Sequence, residues 1–274
     1  LATNSRLKSR VCVAFYQFDG NLENVKLYDE DNLETKVLVK DNIAYMKIKE
    51  MAGFERLDKD YNKIKEFLKE VESYDKLIID IRGSSGDENA YWENIVELLT
   101  DKSLNKEYYS FFKDGHRFQN DPYKVENLTT IKNLDEKTLE KFPKTIKEEF
   151  DFYKIYPISI NPSDYISFKG KIYLLVDENV FSAAESFASF AKDTDFAVLI
   201  GETTGGNKTY EDVPITFLPK SKFAIKYSRE MSMNSDGSIN METRTIPHIE
   251  VDPTPNEDFK EDKCIQTVIE DGIN

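Results

Sequence analysis

The chain has 274 residues, 39% of them hydrophobic, with 18 Phe and 15 Tyr, which is ample for a core and argues against wholesale disorder. Its net charge of −14 comes from acidic residues interleaved with lysine, a solvated-surface pattern that argues against nucleic acid as a partner. No apolar stretch approaches the roughly 20 residues needed to span a bilayer. Two distant cysteines and two histidines form neither a disulfide framework nor a zinc cluster, so no metal or cofactor is expected.

The opening "LATNSRLKSR" lacks an apolar stretch followed by a cleavage site, so it does not read as a leader. It starts with Leu rather than Met and is read as trimmed, which leaves the compartment open. Residues 1–40 carry short alternating runs, "VCVAFYQF" (11–18) and "VKLYDEDNLETKVLV" (25–39). The second, with turn residues from Asp29 to Asn32, predicts a hairpin. "NIAYMKIKEM" (42–51) predicts a strand. The next segment (57–75) places Tyr61, Ile64, Leu68 and Val71 at three-to-four spacing, the mark of an amphipathic helix. "KLIIDIRG" (76–83) is nearly continuously apolar, as expected of a strand covered on both faces, and a helix follows over 90–100.

From about 101 to 168 the rhythm breaks. An aromatic-rich stretch carries Asp114-Gly115 as a hairpin turn, and a helical stretch (134–153) is interrupted near Pro143. This reads as an insertion or lid over a site, since long excursions in compact domains are often functional. The alternation resumes with a buried strand (171–177), a helix (182–193) and another buried strand (196–202). After a glycine-rich turn come a hairpin over 215–231 and a short terminal helix. Strand–helix–strand alternation with apolar strands gives an α/β class with a largely parallel core sheet. The division expected is an N-terminal β segment at 1–40, readable as the end of a truncated upstream domain, and an α/β core at 41–274.

Three stretches carry chemistry. Ser182 stands at the turn from a buried strand into a helix. On pattern it reads first as an N-cap, since Glu185 three residues on completes a capping box, and it also reads as a nucleophile beside free backbone N–H donors. "DIRGSSGD" (80–87) reads as a tight glycine turn or as a nest of such donors. "GETTGGNKT" (201–209) nearly matches a phosphate-binding loop. Asn207 stands where that loop needs Lys, and no helix follows to hold phosphates, which argues against an NTPase.

Taken together, "YDKLIIDIRGSSGD", "KIYLLVDENVFSAAESFASFAKDTDFAVLIGETTGG" and "SDGSINMETRTIPHIEVD" resemble the C-terminal-processing (tail-specific) serine peptidase family with its tricorn-like members, over roughly residues 42–254. The resemblance implies a crotonase/Clp protease-like spiral of ββα units with an inserted lid. It also implies an extended peptide or protein substrate, added as a strand beside residues 215–228, and an extracytoplasmic site of action. The serine heading the family's "S-A-x-E" helix is its nucleophile and falls on Ser182. The family's oxyanion hole falls on the 83–86 loop, implicating Gly83 and Gly86, and on Ala183. The lysine of the Ser–Lys members falls on Asn207, with Lys208 adjacent, while the histidine of the tricorn-like members falls on Lys47. The supporting glutamate corresponds to Glu242.

Serine needs an adjacent base, and lysine serves only if burial lowers its pKa from about 10.4 by several units. Lys47, on a strand bordered by Ile43, Met46 and Ile48, is the first choice. Lys208 is the second, because Gly205-Gly206 could bend the chain enough to defeat strand alternation. His116, on the lid segment, and His248, where relatives usually have Asp, are not expected to be the base. The leading expectation is a serine peptidase acting through a Ser182 acyl-enzyme. The alternative is a catalytically inactive peptide- or small-ligand-binding protein on the same fold.

Overall fold

The two near-continuous apolar runs lie side by side at the centre of a six-stranded sheet. The computed structural model describes residues 31–40, 42–86, 88–114, 125–166, 168–211 and 214–272. The strand expected over 11–18, the first arm of the 25–39 hairpin, Cys12, Gly115 and His116 lie outside the described residues.

In chain order, β1 (Leu33–Val39) and β2 (Ile43–Ile48) come first. The 33–39 arm pairs with β2, antiparallel, through a turn closed by the Asn42 N–H donating to Val39 O at 3.1 Å. β3 (Glu50–Met51) and α1 (Phe54–Glu70) follow, then β4 (Lys76–Asp80), β5 (Ser85–Gly86) and α2 (Asn89–Leu99). β6 (Leu104–Phe112), β7 (Thr129–Thr130), α3 (Glu136–Leu139), α4 (Lys144–Glu149) and β8 (Phe152–Ile160) occupy the segment that breaks the sequence rhythm. Pro143 stands at the N-cap of α4, a position that tolerates its missing N–H, and so splits the two helices. β9 (Lys171–Val176), α5 (Ala183–Asp193) and β10 (Val198–Gly201) restore the alternation. The expected hairpin forms from β11 (Ile215–Phe217) and β12 (Ala224–Lys226). β13 (Glu230–Ser232), α6 (Asn240–Thr243), β14 (Ile249–Glu250) and α7 (Lys263–Glu270) complete the chain.

The main sheet runs β1-β2-β4-β9-β10-β14, parallel from β2 to β14, with β1 an antiparallel edge. Its side chains alternate between two cores. Ala44, Met46, Ile48, Leu77, Ile79, Leu174 and Val176 face α1, α2 and α5. Ile43, Tyr45, Ile78, Tyr173 and Leu175 face α7. Burying a side chain such as Phe187 or Ile79 contributes about 1.5–3 kcal/mol, which explains why the strands read as apolar runs without alternation. A second, antiparallel sheet, β13-β6-β8-β7, has its own core of Phe111, Ile131, Phe142, Ile146, Met233 and Ile239. No helix among the described residues is long and apolar enough to cross a membrane.

Candidate active site

Three loops leave the carboxyl ends of β4, β9 and β10 and meet there, the place where open α/β sheets hold ligands. The first is set by a buried ion-pair cluster. Arg82 forks onto Asp80 (Nε to Oδ1 at 2.9 Å, Nη2 to Oδ2 at 2.6 Å) and onto Asp262 (Nη2 to Oδ2 at 2.9 Å). Tyr45 donates its hydroxyl to Asp80 Oδ2 at 2.8 Å. With both carboxylates holding it, the guanidinium stays charged although buried. The turn beyond it is then fixed: Gly83 (φ 76°) donates its N–H to Asp177 Oδ1 at 2.9 Å, and Ser84 donates its own to Ile81 O. Gly86 (φ 127°) must be glycine, because a Cβ there would lie 2.2 Å from Met51 O on the parallel neighbour β3.

The second loop delivers Ser182. Asp177 turns the chain by accepting from Asn179 N–H at 3.0 Å, and Val180 N–H closes the turn onto Asp177 O at 3.1 Å. Phe181 is clamped on both sides, donating its N–H to Ser84 O and bridging in parallel to Gly206. Ser182 then sits at φ 61°, ψ −125°, a sparsely populated conformation for a non-glycine residue that costs on the order of 1–3 kcal/mol. Such a strained strand-to-helix turn is how nucleophile elbows present a hydroxyl. The helix starts with Ser186 N–H on Ser182 O at 3.0 Å, which leaves the Ala183 N–H among the first-turn donors that have no intrahelical acceptor. The capping-box reading does not hold: the Ser182 side chain makes no cap hydrogen bond, and Glu185 reaches elsewhere. A capping serine takes a β-region backbone, which the elbow conformation denies.

The third loop brings a lysine to the same helix. Gly206 (φ 80°) and Asn207 (φ 65°) are both left-handed, so the chain does not alternate as a strand there, and Lys208 turns inward to 1% exposure. Its ammonium donates to Ser189 Oγ at 3.2 Å and lies 3.9 Å from the centroid of the Tyr108 ring. Ser182, Ser186 and Ser189 follow one another at helical spacing and form one buried polar stripe on α5. The opposite face of α5 is apolar, with Phe187 stacked 5.7 Å from Trp92. Burial pushes the Lys208 ammonium down to about 8, while Asp193, Glu185, Glu230 and Asp236 pull the other way.

Two residues that sequence reasoning missed tie this stripe together. Glu185, fully buried, accepts at Oε1 from Asn240 Nδ2 and from Thr245 Oγ1, both at 2.7 Å. Desolvation raises its carboxyl, opposed by those hydrogen bonds and by Lys208. Asn240 also accepts the Lys208 backbone N–H at Oδ1, 2.9 Å away, so one amide links the carboxylate to the lysine segment. The signal for Glu185 was present as serines and an acid at helical spacing in an otherwise apolar helix. Asn240, two residues before Glu242, carried none.

The other candidates lie apart from this cluster. Lys47 is half-buried on β2, where strand alternation places it with Ile43 and Tyr45 on the face covered by α7, opposite the face that α5 covers. Glu242 is exposed in α6. His248 accepts the Leu199 N–H at Nδ1, 2.9 Å away, and serves as a tie to β10.

The model of Peptidase family S41 matches residues 42–251. No curated protein matches the chain in sequence. Among solved structures, a candidate peptidase from Parabacteroides merdae is 16% identical with a TM-score of 0.60, over 87% of this chain and 63% of its own. Mature CPAF complexed with lactacystin is 18% identical with a TM-score of 0.55, over 76% of this chain and 47% of its own. A lipoprotein from Streptococcus agalactiae is 16% identical with a TM-score of 0.50, over 81% of this chain and 66% of its own. The chain thus spans less than two thirds of the length of each, and at these identities the likeness is one of fold.

Proposed function

The chain belongs to peptidase family S41, and from that premise we propose that it is a serine-type peptidase in which Ser182 attacks the scissile carbonyl and Lys208 takes its proton. The observation that carries this reading is the burial of the Lys208 ammonium on the α5 face headed by Ser182. A lysine can act as a general base near neutral pH only when desolvated, and Lys208 meets that condition. Its resting partner, Ser189, stands seven residues beyond Ser182, about 10 Å along the helix axis. Catalysis therefore requires the flexible side chain to turn back along the serine stripe toward the helix N-terminus.

In the reaction, neutral Lys208 accepts the Ser182 hydroxyl proton as Oγ bonds to the carbonyl carbon. The oxyanion takes the Ala183 N–H together with donors of the loop at Gly86; the Gly83 N–H is already held by Asp177 and serves the turn instead. Lysine then returns the proton to the leaving amine, and water hydrolyses the acyl-enzyme by the same route. Glu185 holds the lysine segment through Asn240 and balances the ammonium formed in the first step. Neither Lys47 nor Glu242 has a role in this scheme, the one facing α7 and the other exposed.

The same reading takes the second sheet as a lid on a spiral of ββα units, an extended peptide added as a strand near the β11–β12 hairpin, and an extracytoplasmic site of action. It is tested by incubating the chain with a disordered polypeptide and reading fragments by mass spectrometry. Cleavage that disappears in Ser182→Ala supports it; cleavage that persists in that variant overturns it.

A further inference from the structure

The backbone after Lys208 is gripped by a buried carboxylate to which the proposed reaction gives no step. Glu230, 7% exposed at the start of β13, accepts at Oε1 from the Tyr210 N–H at 2.6 Å and from the Glu211 N–H at 3.1 Å. Two residues on, and so on the same face of the strand, Ser232 donates its hydroxyl to Lys208 O. β13 is paired to β6, Ser232 opposite Ser110, and β6 also supplies Tyr108, whose ring lies under the Lys208 ammonium. The lysine is thus framed by the second sheet, while the nucleophile is framed by the main one.

We propose that Glu230 is a positioning residue for Lys208: its carboxylate fixes the 208–211 turn that aims the side chain into the α5 stripe, and it presents a negative charge to the ammonium. The proposal rests on Lys208 as the base. The charged and titratable groups around the ammonium are Asp193 and Glu185 from α5, Glu230 from β13, Asp236 from the loop before α6, and Tyr108 and Tyr210. Around Glu230 stand Glu211, Tyr156 from β8, Tyr210 and Lys208, with the Ser110 hydroxyl from β6. Burial pushes the Glu230 carboxyl up to about 7, while the Tyr210 N–H, the Ser110 hydroxyl and the Glu211 N–H favour its charged form.

The two functions of the carboxylate separate by substitution. Glu230→Gln keeps an acceptor for the two N–H groups and removes the charge; Glu230→Ala removes both. Glu230→Ala is expected to lower kcat about tenfold or more with KM within about twofold, and Glu230→Gln to recover most of that loss. In Glu230→Gln the rise of kcat with pH moves to lower pH by about half a unit or more, because a charge favouring the ammonium is gone. Equal kcat losses in both variants with an unmoved pH profile, or no loss in either, overturn the proposal. The Lys208 13Cε shift, titrated by NMR in the full chain and assigned with Lys208→Met, reads the same charge effect without peptidase activity. A lower Lys208 pKa in Glu230→Gln supports the proposal even if no peptide is cleaved. An unchanged pKa overturns it even if peptides are cleaved.

Discussion

The Lys208 ammonium donates to Ser189 Oγ at 3.2 Å, on the same face of α5 that Ser182 heads. In the proposed scheme this contact favours Lys208 over Lys47, the other lysine that the sequence offers as a base. In the proposed reaction it corresponds to a resting site in which Ser182 and Lys208 share a helix face but not yet a hydrogen bond.

The first consequence concerns which lysine matters. Lys208→Met is expected to lower kcat/KM by a factor on the order of 10²–10⁴, the usual contribution of a general base. Lys47→Met should stay within about threefold, since strand alternation turns Lys47 toward α7. Steady-state kinetics on a quenched peptide measures both, and a larger loss at Lys47 would reverse the assignment.

Activity should follow the ionisation of Lys208. Burial holds its pKa down at about 8, and only the neutral amine accepts a proton, so kcat/KM should rise as pH increases through about 8 and then level off. A profile that falls over this range would require a base other than lysine.

Stability should move with pH through Glu230. Its folded pKa of about 7 lies above the ordinary glutamate value of 4.5, so the folded state holds a proton that the unfolded chain releases between those values. Its contribution is full below about 4.5 and is lost as pH rises through about 7, by an amount on the order of 3 kcal/mol at most. Glu185, also raised by burial, acts in the same direction. Denaturant unfolding at a series of pH values should show this decline, and it should be shallower in Glu230→Gln.

The Arg82 cluster supports the loop rather than the chemistry. Asp262→Ala leaves the buried guanidinium with one carboxylate fewer and is expected to destabilise by about 3–5 kcal/mol. Thermal or denaturant unfolding checks this, and a loss under about 1 kcal/mol would mean that Asp80 alone satisfies the arginine.

Much of the parallel sheet was legible because its strands, buried on both faces, are written as apolar runs, and α1 because its apolar stripe repeats at helical spacing. Pro143 and the 215–231 hairpin were legible from local chemistry. The pairing of β1 with β2 was not among the readings, while the hairpin suggested by turn-type residues at 29–32 has its first arm outside the described residues. At the site, Ser182 and the special glycines could be read from motif and turn chemistry. The preference for Lys47 followed neighbouring apolar residues along the strand, whereas burial of the lysine charge is decided by which helix covers each face. Lys208 became buried through two consecutive left-handed residues, Gly206 and Asn207, of which only the glycine announces that conformation. Asn240 and Glu230 hold the lysine segment by contacts from distant elements, and no local pattern encodes those.

The central claim is that Ser182 is a nucleophile activated by Lys208. Treatment of the chain with a fluorophosphonate at about pH 8–9, followed by peptide mapping, tests it most directly. The account predicts one phosphonyl adduct, on Ser182, absent from Ser182→Ala and formed far more slowly in Lys208→Met. An unlabelled Ser182 across the pH range, or labelling at an equal rate in Lys208→Met, would contradict it.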